Sequence, residues 1–256
     1  MDVALKRARF RQLHESGCFL LPNPWDVGSA KRLEAMGFVA LASTSSGSAW
    51  ALGLEDGQLS RDDVLRHLKS LSAATSLPVN ADFENGFGHS SSQVFESVQL
   101  AIETGIAGLS IEDYDGSELF SKNEAVDRIR AARKAIDQSG HNVVLVGRSE
   151  GFIRDRPDLK ETIERLKAFR DAGADCLYAP GVSDLKEMEQ LVAGVAPSPV
   201  NALLLPALTV SQLEGVGVRR ISVGGALARQ AWKAFEEAAK TLLERGTLWD
   251  GKPFVR

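Results

Sequence analysis

Four times in this chain a helix-like segment runs into a glycine and then a short apolar run: MGFVAL at Gly37, TGIAGL at Gly105, AGADCL at Gly173 and VGVRRI at Gly217. A glycine just past a helix supplies a left-handed end cap, and a brief apolar run behind it reads as a strand buried on both faces, the signature of a parallel sheet. The first three glycines are 68 residues apart, about the length of two strand-plus-helix units. Eight such runs alternate with longer amphipathic segments: CFLL, FVALA, PVNAD, AGLSIE, VVLVGR, DCLYA, VNALLL and RRISV. Eight alternations predict an α/β protein, a (β/α)8 TIM-type barrel occupying residues 1–256 as one domain. A helix over Asp2 to Ser16 is expected before the first strand, and a long C-terminal helix over Ala226 to Leu243 after the last. A doubly wound open sheet would need a glycine fingerprint after its first strand, and LLPNPWDVGSA has none.

The intervening helices are legible residue by residue. PDLKETIERLKAFRDAG puts Leu159, Ile163, Leu166 and Phe169 on one face, with Pro157 in the first turn and Gly173 ending the helix. SKNEAVDRIRAARKAI opens on a capping box, Ser121 with Glu124, ahead of an apolar stripe through Val126, Ile129 and Ala132.

A formal net charge of −4 argues against an electrostatic grip on nucleic acid or an anionic membrane, so a small-molecule partner is expected. MDVALKRARFRQLHESG lacks the apolar core of a secretory signal, and no apolar run is long enough to span a bilayer, so the expected location is cytoplasmic. Cys18 and Cys176 form no metal-ligand spacing and are expected to be reduced, buried packing residues. His14, His67 and His141 read as surface residues, and His89 as a residue that helps start the next helix.

In a (β/α)8 barrel, chemistry sits at the C-terminal ends of the strands. Read in order, those ends carry Asn23, Trp25 and Asp26, then STSSGS from Ser43 to Ser48, then Asp82 and Glu84 in NADFENGFG. Glu112, Asp113 and Asp115 follow, then Arg148 and Glu150, Tyr178, and Gly224 with Gly225. Acidic clusters around one arginine make up the donor set of a hard cation, Mg²⁺ or Mn²⁺, that holds an anionic, oxygen-rich substrate. Each acid could instead cap the following helix. Arg148, ending a strongly apolar strand, needs an anion, which is either a substrate or a structural carboxylate such as Glu112. STSSGS is either a flexible loop or a nest of N–H and hydroxyl donors. The tryptophans and AWKAFEEAAKTLLERG read as packing or subunit interface.

Taken together and in order, these residues resemble the isocitrate lyase/phosphoenolpyruvate mutase superfamily over nearly the whole chain. LPNPWDVGSAKRLEAMGFVALAST is similar to the family's opening, and LGLEDG to the loop that supplies an acid, here Asp56. PVNADFENGFG resembles the family's D-A-D-T-G-Y-G metal segment, SIED its second metal carboxylate, and GRSEGF its A-R-x-E-A strand. The resemblance implies Asp82, Glu112 and Asn80 at the metal, a substrate-carboxylate cradle of Ser43, Thr44 and Ser45, and Arg148 and Tyr178 facing the substrate. Asp56, Glu84 and Arg148 are the implied catalytic groups.

The departures are also specific. Asn80 stands where the family carries its first aspartate, which makes Glu84 a substitute ligand, and Tyr178 stands where the mutase and hydrolase branch carries a histidine. The lyase lid motif K-K-C-G-H is absent, leaving SELFSKNEA, in which Lys122 and Asn123 could form a reduced lid. The implied activity is a Mg²⁺-dependent lyase or decarboxylase acting on a small α-oxo or 2-hydroxy carboxylate through a metal-stabilised enolate, in a homodimer or homotetramer. Two readings stand beside it: C–P bond chemistry of the phosphoenolpyruvate mutase or phosphonopyruvate hydrolase kind, and an α-oxo acid-binding protein with negligible catalysis.

Overall fold

All eight apolar runs become strands of one parallel sheet in the computed structural model, which describes residues 2–248; Met1 and residues 249–256, with Trp249 among them, lie outside the described residues. The strands are β1 (Phe19–Leu21), β2 (Leu41–Ala42), β3 (Val79–Asp82), β4 (Gly108–Glu112), β5 (Val144–Arg148), β6 (Cys176–Tyr178), β7 (Val200–Leu203) and β8 (Arg220–Ser222). Pairing runs β1-β8-β7-β6-β5-β4-β3-β2, and the seam between β1 and β2 is drawn together by the Ala42 N–H donating to the Pro22 carbonyl at 3.0 Å. The result is a nearly closed (β/α)8 barrel.

Helices α1 (Val3–Leu13), α2 (Val27–Ala35), α3 (Ser45–Ala51), α4 (Arg61–Ala74), α5 (Ser91–Glu103), α6 (Lys122–Ser139), α7 (Leu159–Asp171), α8 (Leu185–Val195), α9 (Val210–Gly215) and α10 (Ala226–Arg245) complete the chain. The four signal glycines have positive φ, +93° at Gly37, +86° at Gly105, +107° at Gly173 and +89° at Gly217, the conformation that only glycine takes without steric cost. The Ser121–Glu124 capping box is formed at the start of α6. Val126, Ile129 and Ala132 are buried on its inner face.

The sheet alternates strictly. Leu109, Ile111 and Leu145 point outward into the layer between strands and helices, while Val144, Val146, Cys176 and Tyr178 fill the inside with Phe10 and Phe19. The lower mouth is closed by α1, whose cations cap neighbouring helices. Lys6 Nζ donates to the Ser72 and Thr75 carbonyls at 2.7 and 2.6 Å at the end of α4, and Arg7 donates to the Ile102 and Ile106 carbonyls at 2.7 and 2.9 Å beyond α5. A cation on a helix C-terminus satisfies carbonyls that have no partner within the helix and complements the dipole. Phe10, fully buried, fits because β4 begins with glycine: a Cβ at Gly108 would lie 2.7 Å from the Phe10 ring and 2.8 Å from Asn80 Oδ1.

Several local expectations are corrected. STSSGS is not a flexible loop: it runs into the start of α3, with Thr44 as the N-cap. Pro157 lies before α7 rather than in its first turn, and Asp158 is the N-cap, its carboxylate accepting the Glu161 N–H. Lys122 and Asn123 belong to the first turn of α6 and form no lid. His14 and His67 are half-buried rather than surface residues, and so is Cys18, while Cys176 is buried as expected. His89 adjoins α5, its N–H donating to Gln93 Oε1 at 2.8 Å.

Candidate active site

Alternation within a strand places every second residue inside the barrel, and the upper ends of β3, β4 and β5 bring Asp82, Glu112 and Arg148 to one point. Arg148 Nη1 donates to Asp82 Oδ1 at 3.0 Å and lies 3.4 Å from Glu112 Oε2, while its Nε donates to Glu150 Oε1. The strand-end arginine has therefore found structural carboxylates, three of them. Behind it, Glu150 also pairs with Arg154 at 3.1 Å. The Glu150 N–H and Ser149 hydroxyl donate to Asp113, which is paired in turn with Arg165. Asp113 thus braces the site from outside the barrel. Asp115 caps its own turn through the Ser117 and Glu118 N–H groups, and Asp26 caps α2.

The serine-rich turn is stitched to this cluster. The Asp82 N–H donates to Ser43 Oγ at 2.8 Å, and the Ser45 N–H donates to Asp82 Oδ2 at 3.1 Å. The Thr44 hydroxyl accepts the Gly47 N–H. Gly47 has no room for a side chain, since a Cβ there would sit 2.6 Å from the Thr44 methyl carbon. Asn23 ties the first strand in, donating to the Ser43 carbonyl and accepting the Val223 and Gly224 N–H groups.

Asp56 lies on an exposed loop, with its carboxyl within hydrogen-bonding reach of Ser45. Desolvation raises its pKa, helped by Asp82. Glu84 has φ +43°, a left-handed conformation costly for a residue with a Cβ, and its Oε1 is buried without a hydrogen-bond partner. Burial first, and then Asp82 and Asp56, push its pKa up to about 8. Glu112 is shifted well upward by burial, with Arg148 opposing and Glu150, Asp82 and Glu84 adding to the rise.

Two adjoining cavities share Ser45, Asp56 and Arg148. The larger, about 470 Å³, runs down the barrel from Asp82 past Tyr178 to Asn80 and Arg220, and the other, about 360 Å³, holds Glu84, Glu112 and Arg154. The expected groups are thus brought together, except that Asn80 faces the floor: its Oδ1 accepts from Arg220 Nη1 at 3.3 Å and its Nδ2 donates to the Ala81 carbonyl. Tyr178 lies beneath Arg148, its ring centre 5.3 Å from the guanidinium carbon, and burial pushes its phenol up to about 12, so it keeps its proton.

The floor residues Ser110, Asn201, Arg220 and Ser222 escape a reading confined to strand ends. The signal that finds them is a polar residue at alternate positions inside an otherwise apolar strand, as in RRIS and VNAL.

Does this donor set fit a metal ion? Among the described residues no three carboxylate, histidine or thiol groups are grouped to hold one. The donors are oxygens only. Asp56, Asp82, Glu84, Glu112 and Glu150 face two guanidinium groups, and one carboxylate oxygen is buried without a partner. A hard divalent cation that takes one or two carboxylates and completes its shell with water and substrate fits that imbalance.

A parallel barrel with acids, hydroxyls and guanidinium groups gathered at the carboxyl ends of its strands defines a barrel enzyme. The phosphoenolpyruvate phosphomutase family model matches residues 10–243. The chain is 30% identical to the 2-methylisocitrate lyase of Salmonella typhimurium over 82% of this chain and 75% of that one. It is 29% identical to oxaloacetate decarboxylase 2 of Pseudomonas fluorescens over 87% and 79%. A solved structure of a candidate lyase/mutase from Burkholderia cenocepacia J2315 superposes with a TM-score of 0.93 at 43% identity, covering 96% of this chain and 90% of that one. The chain belongs to the phosphoenolpyruvate phosphomutase family, an enzyme of the superfamily of lyases and mutases that also contains isocitrate lyase.

Proposed function

We propose that the chain is a Mg²⁺-dependent lyase or decarboxylase that cleaves a carbon–carbon bond in a small α-oxo or 2-hydroxy carboxylate through an enolate. The observation that carries this reading is the meeting of Asp82 and Glu112 across Arg148, with an orphaned Glu84 oxygen beside them. Asp82 and Glu112 would hold the ion, with Glu84 beside them; when bound, such an ion supplies Lewis-acid stabilisation to an enolate oxygen.

The remaining roles belong to the chain's own groups. Arg148 fixes the two carboxylates and offers positive charge to the substrate oxygens. Ser43, Thr44 and Ser45 form the wall against which the substrate carboxylate rests. Tyr178, holding its proton, donates a hydrogen bond from below, and Asp56 and Glu84 stand where a proton can be exchanged at the rim. Relatives named 2-methylisocitrate lyase and oxaloacetate decarboxylase support carbon–carbon cleavage. The short 113–121 connection, closed by a bridge between Tyr114 and Leu119, gives no extended lid of the kind a phosphoryl-transfer reading would want.

The test is pyruvate release from oxaloacetate, methylisocitrate and phosphonopyruvate, with and without Mg²⁺. Metal-dependent release from a C–C substrate is expected, falling at least about 10³-fold in Asp82→Ala. Release from phosphonopyruvate alone, or full activity in Asp82→Ala, would overturn the assignment.

The same reading includes a homodimer or homotetramer. On α10 only Ala228 is buried, while Trp232, Phe235, Leu242 and Leu243 are exposed. An apolar face of that kind is expected to be covered by another subunit. Light scattering should give at least twice the 27.6 kDa chain mass, and a monomer at working concentration would remove this part of the reading.

A further inference from the structure

The loop from Phe83 to Gly88, directly after β3, holds two of the three non-glycine residues with positive φ among the described residues, Glu84 at +43° and Phe87 at +51°. Backbone of that kind persists only where its surroundings over-determine it. Part of the restraint is local: the Gly86 N–H donates to the Phe83 carbonyl at 2.9 Å, the Phe87 N–H donates to Asn85 Oδ1 at 3.0 Å, and the Phe87 ring stands edge-on to Phe83 at 5.1 Å. On the barrel side the Glu84 carbonyl accepts the Glu112 N–H at 2.9 Å. The remaining restraint comes from a helix two elements further along.

Arg128, on α6 and 6% exposed, donates from Nη1 to the Asn85 carbonyl at 3.0 Å and to the Gly88 carbonyl at 2.7 Å. One nitrogen thereby closes the turn across Gly86 and Phe87. The guanidinium carbon lies 3.9 Å from the centre of the Phe120 ring, which holds the group from the other side. Lys6 and Arg7 are comparably buried, but the carbonyls they meet end helices, whereas Asn85 and Gly88 belong to neither helix nor strand. Helix capping therefore does not account for Arg128. Phe120 in turn donates its N–H to the Asp113 carbonyl and accepts from Arg165 Nη1, both at 2.9 Å. One side chain thus joins the loop after β3 to the connection after β4, the two segments that bound the smaller cavity.

What lies between these anchors is Glu84. Its side chain lines that cavity, and Oε1 is buried without a hydrogen-bond partner, so the backbone rather than the carboxyl's own bonds must keep it there. We propose that Arg128 is a positioning residue, which clamps the 85–88 turn so that Glu84 keeps its left-handed backbone and its carboxyl stays at the rim beside Asp82 and Glu112. This rests on the place of Glu84 in the lyase reading above, and adds to it a residue that no strand end carries.

Amide hydrogen exchange, on protein without added metal or substrate, compares wild type, Arg128→Met, Arg128→Lys and Arg7→Lys. Exchange at Gly86 and Phe87 should quicken at least about tenfold in Arg128→Met and about threefold in Arg128→Lys. It should not change in Arg7→Lys, the same swap at a cation that serves helix ends. Glu84→Gly should raise Tm by about 2–4 °C in the wild-type background, because glycine takes the left-handed backbone freely. In Arg128→Met, where the turn has already relaxed, that gain should vanish. In turnover of oxaloacetate or methylisocitrate with Mg²⁺, Arg128→Met should lower kcat at least about tenfold, yet less than about twofold when Glu84 is already replaced by Gln.

Should Arg128→Met fail to fold, Arg128→Lys carries the three comparisons, with about threefold effects on exchange and kcat and at most half the Tm gain. Unchanged exchange at Gly86 and Phe87 in the Arg128 variants, an equal rise in Arg7→Lys, a Glu84→Gly gain that persists in full, or losses of kcat that multiply overturns the proposal. If neither substrate is turned over, the lyase reading fails separately, and exchange and Tm decide the clamp alone.

Discussion

Replacing Arg148 by Gln is expected to lower kcat/KM at least about 10³-fold and to cost about 3–5 kcal/mol of folding stability. The two losses have one origin. The guanidinium joins the ends of three successive strand units through Asp82, Glu112 and Glu150, and its removal leaves three carboxylates facing one another in a site already rich in negative charge. Taking away one partner of a buried ion cluster costs far more than the cluster's net worth, because the remaining charges keep their desolvation penalty. Arg148→Lys keeps the charge but not the fork that reaches two strands at once, so it should recover a part of the stability and little of the turnover. Chemical denaturation and initial rates on the same preparations check both. A stable, active Arg148→Gln would mean that the carboxylates are held apart by something other than this arginine.

Phe10→Ala is expected to cost about 3–5 kcal/mol, near the top of the range for a single core truncation, and to lower Tm by roughly 10 °C or more. Phe10 is fully buried, stands edge-on to Phe19 at 6.3 Å and to His14 at 4.8 Å, and fills the space that Gly108 leaves open. Because α1 is pinned by Lys6, Arg7 and Arg11, it cannot sink inward to close the resulting void. Leu5→Ala, on the same helix but 61% exposed, is the matched control and should change stability by less than about 0.5 kcal/mol. A Phe10→Ala protein as stable as that control would show that the floor of the barrel does not depend on its plug.

How much of the structure a stretch of sequence foretells depends on the reach of the signal it carries. Capping glycines and boxes are local, so Gly37, Gly105, Gly173 and the Ser121–Glu124 pair could be read without tertiary knowledge. Asp82, Glu112 and Arg148 were also accessible, because a barrel sends every strand end to the same rim. The floor was not. Arg220 looks like a surface arginine beside Arg219 until the strand register turns one inward and the other out, and Asn80 resembles a rim residue until its amide is found beneath Asp82. His14 reads as polar and exposed, and becomes an interior acceptor only through a partner 206 residues away. STSSGS was ambiguous for a further reason: a seven-residue helix has too little periodicity to announce itself, and only the Thr44 cap and the bond from Ser45 to Asp82 define it.

The plug has a temporal consequence as well. Helix α1 leaves the ribosome before every strand of the barrel, yet its anchoring bonds must wait for Ser72 and Thr75, then Ile102 and Ile106, then Asp175, and finally Arg220. Contacts so remote along the chain form late and slow the search for the native state. Through most of the barrel's synthesis the Phe10 face therefore lacks its home, and a helix made before all eight strands is among the last to dock.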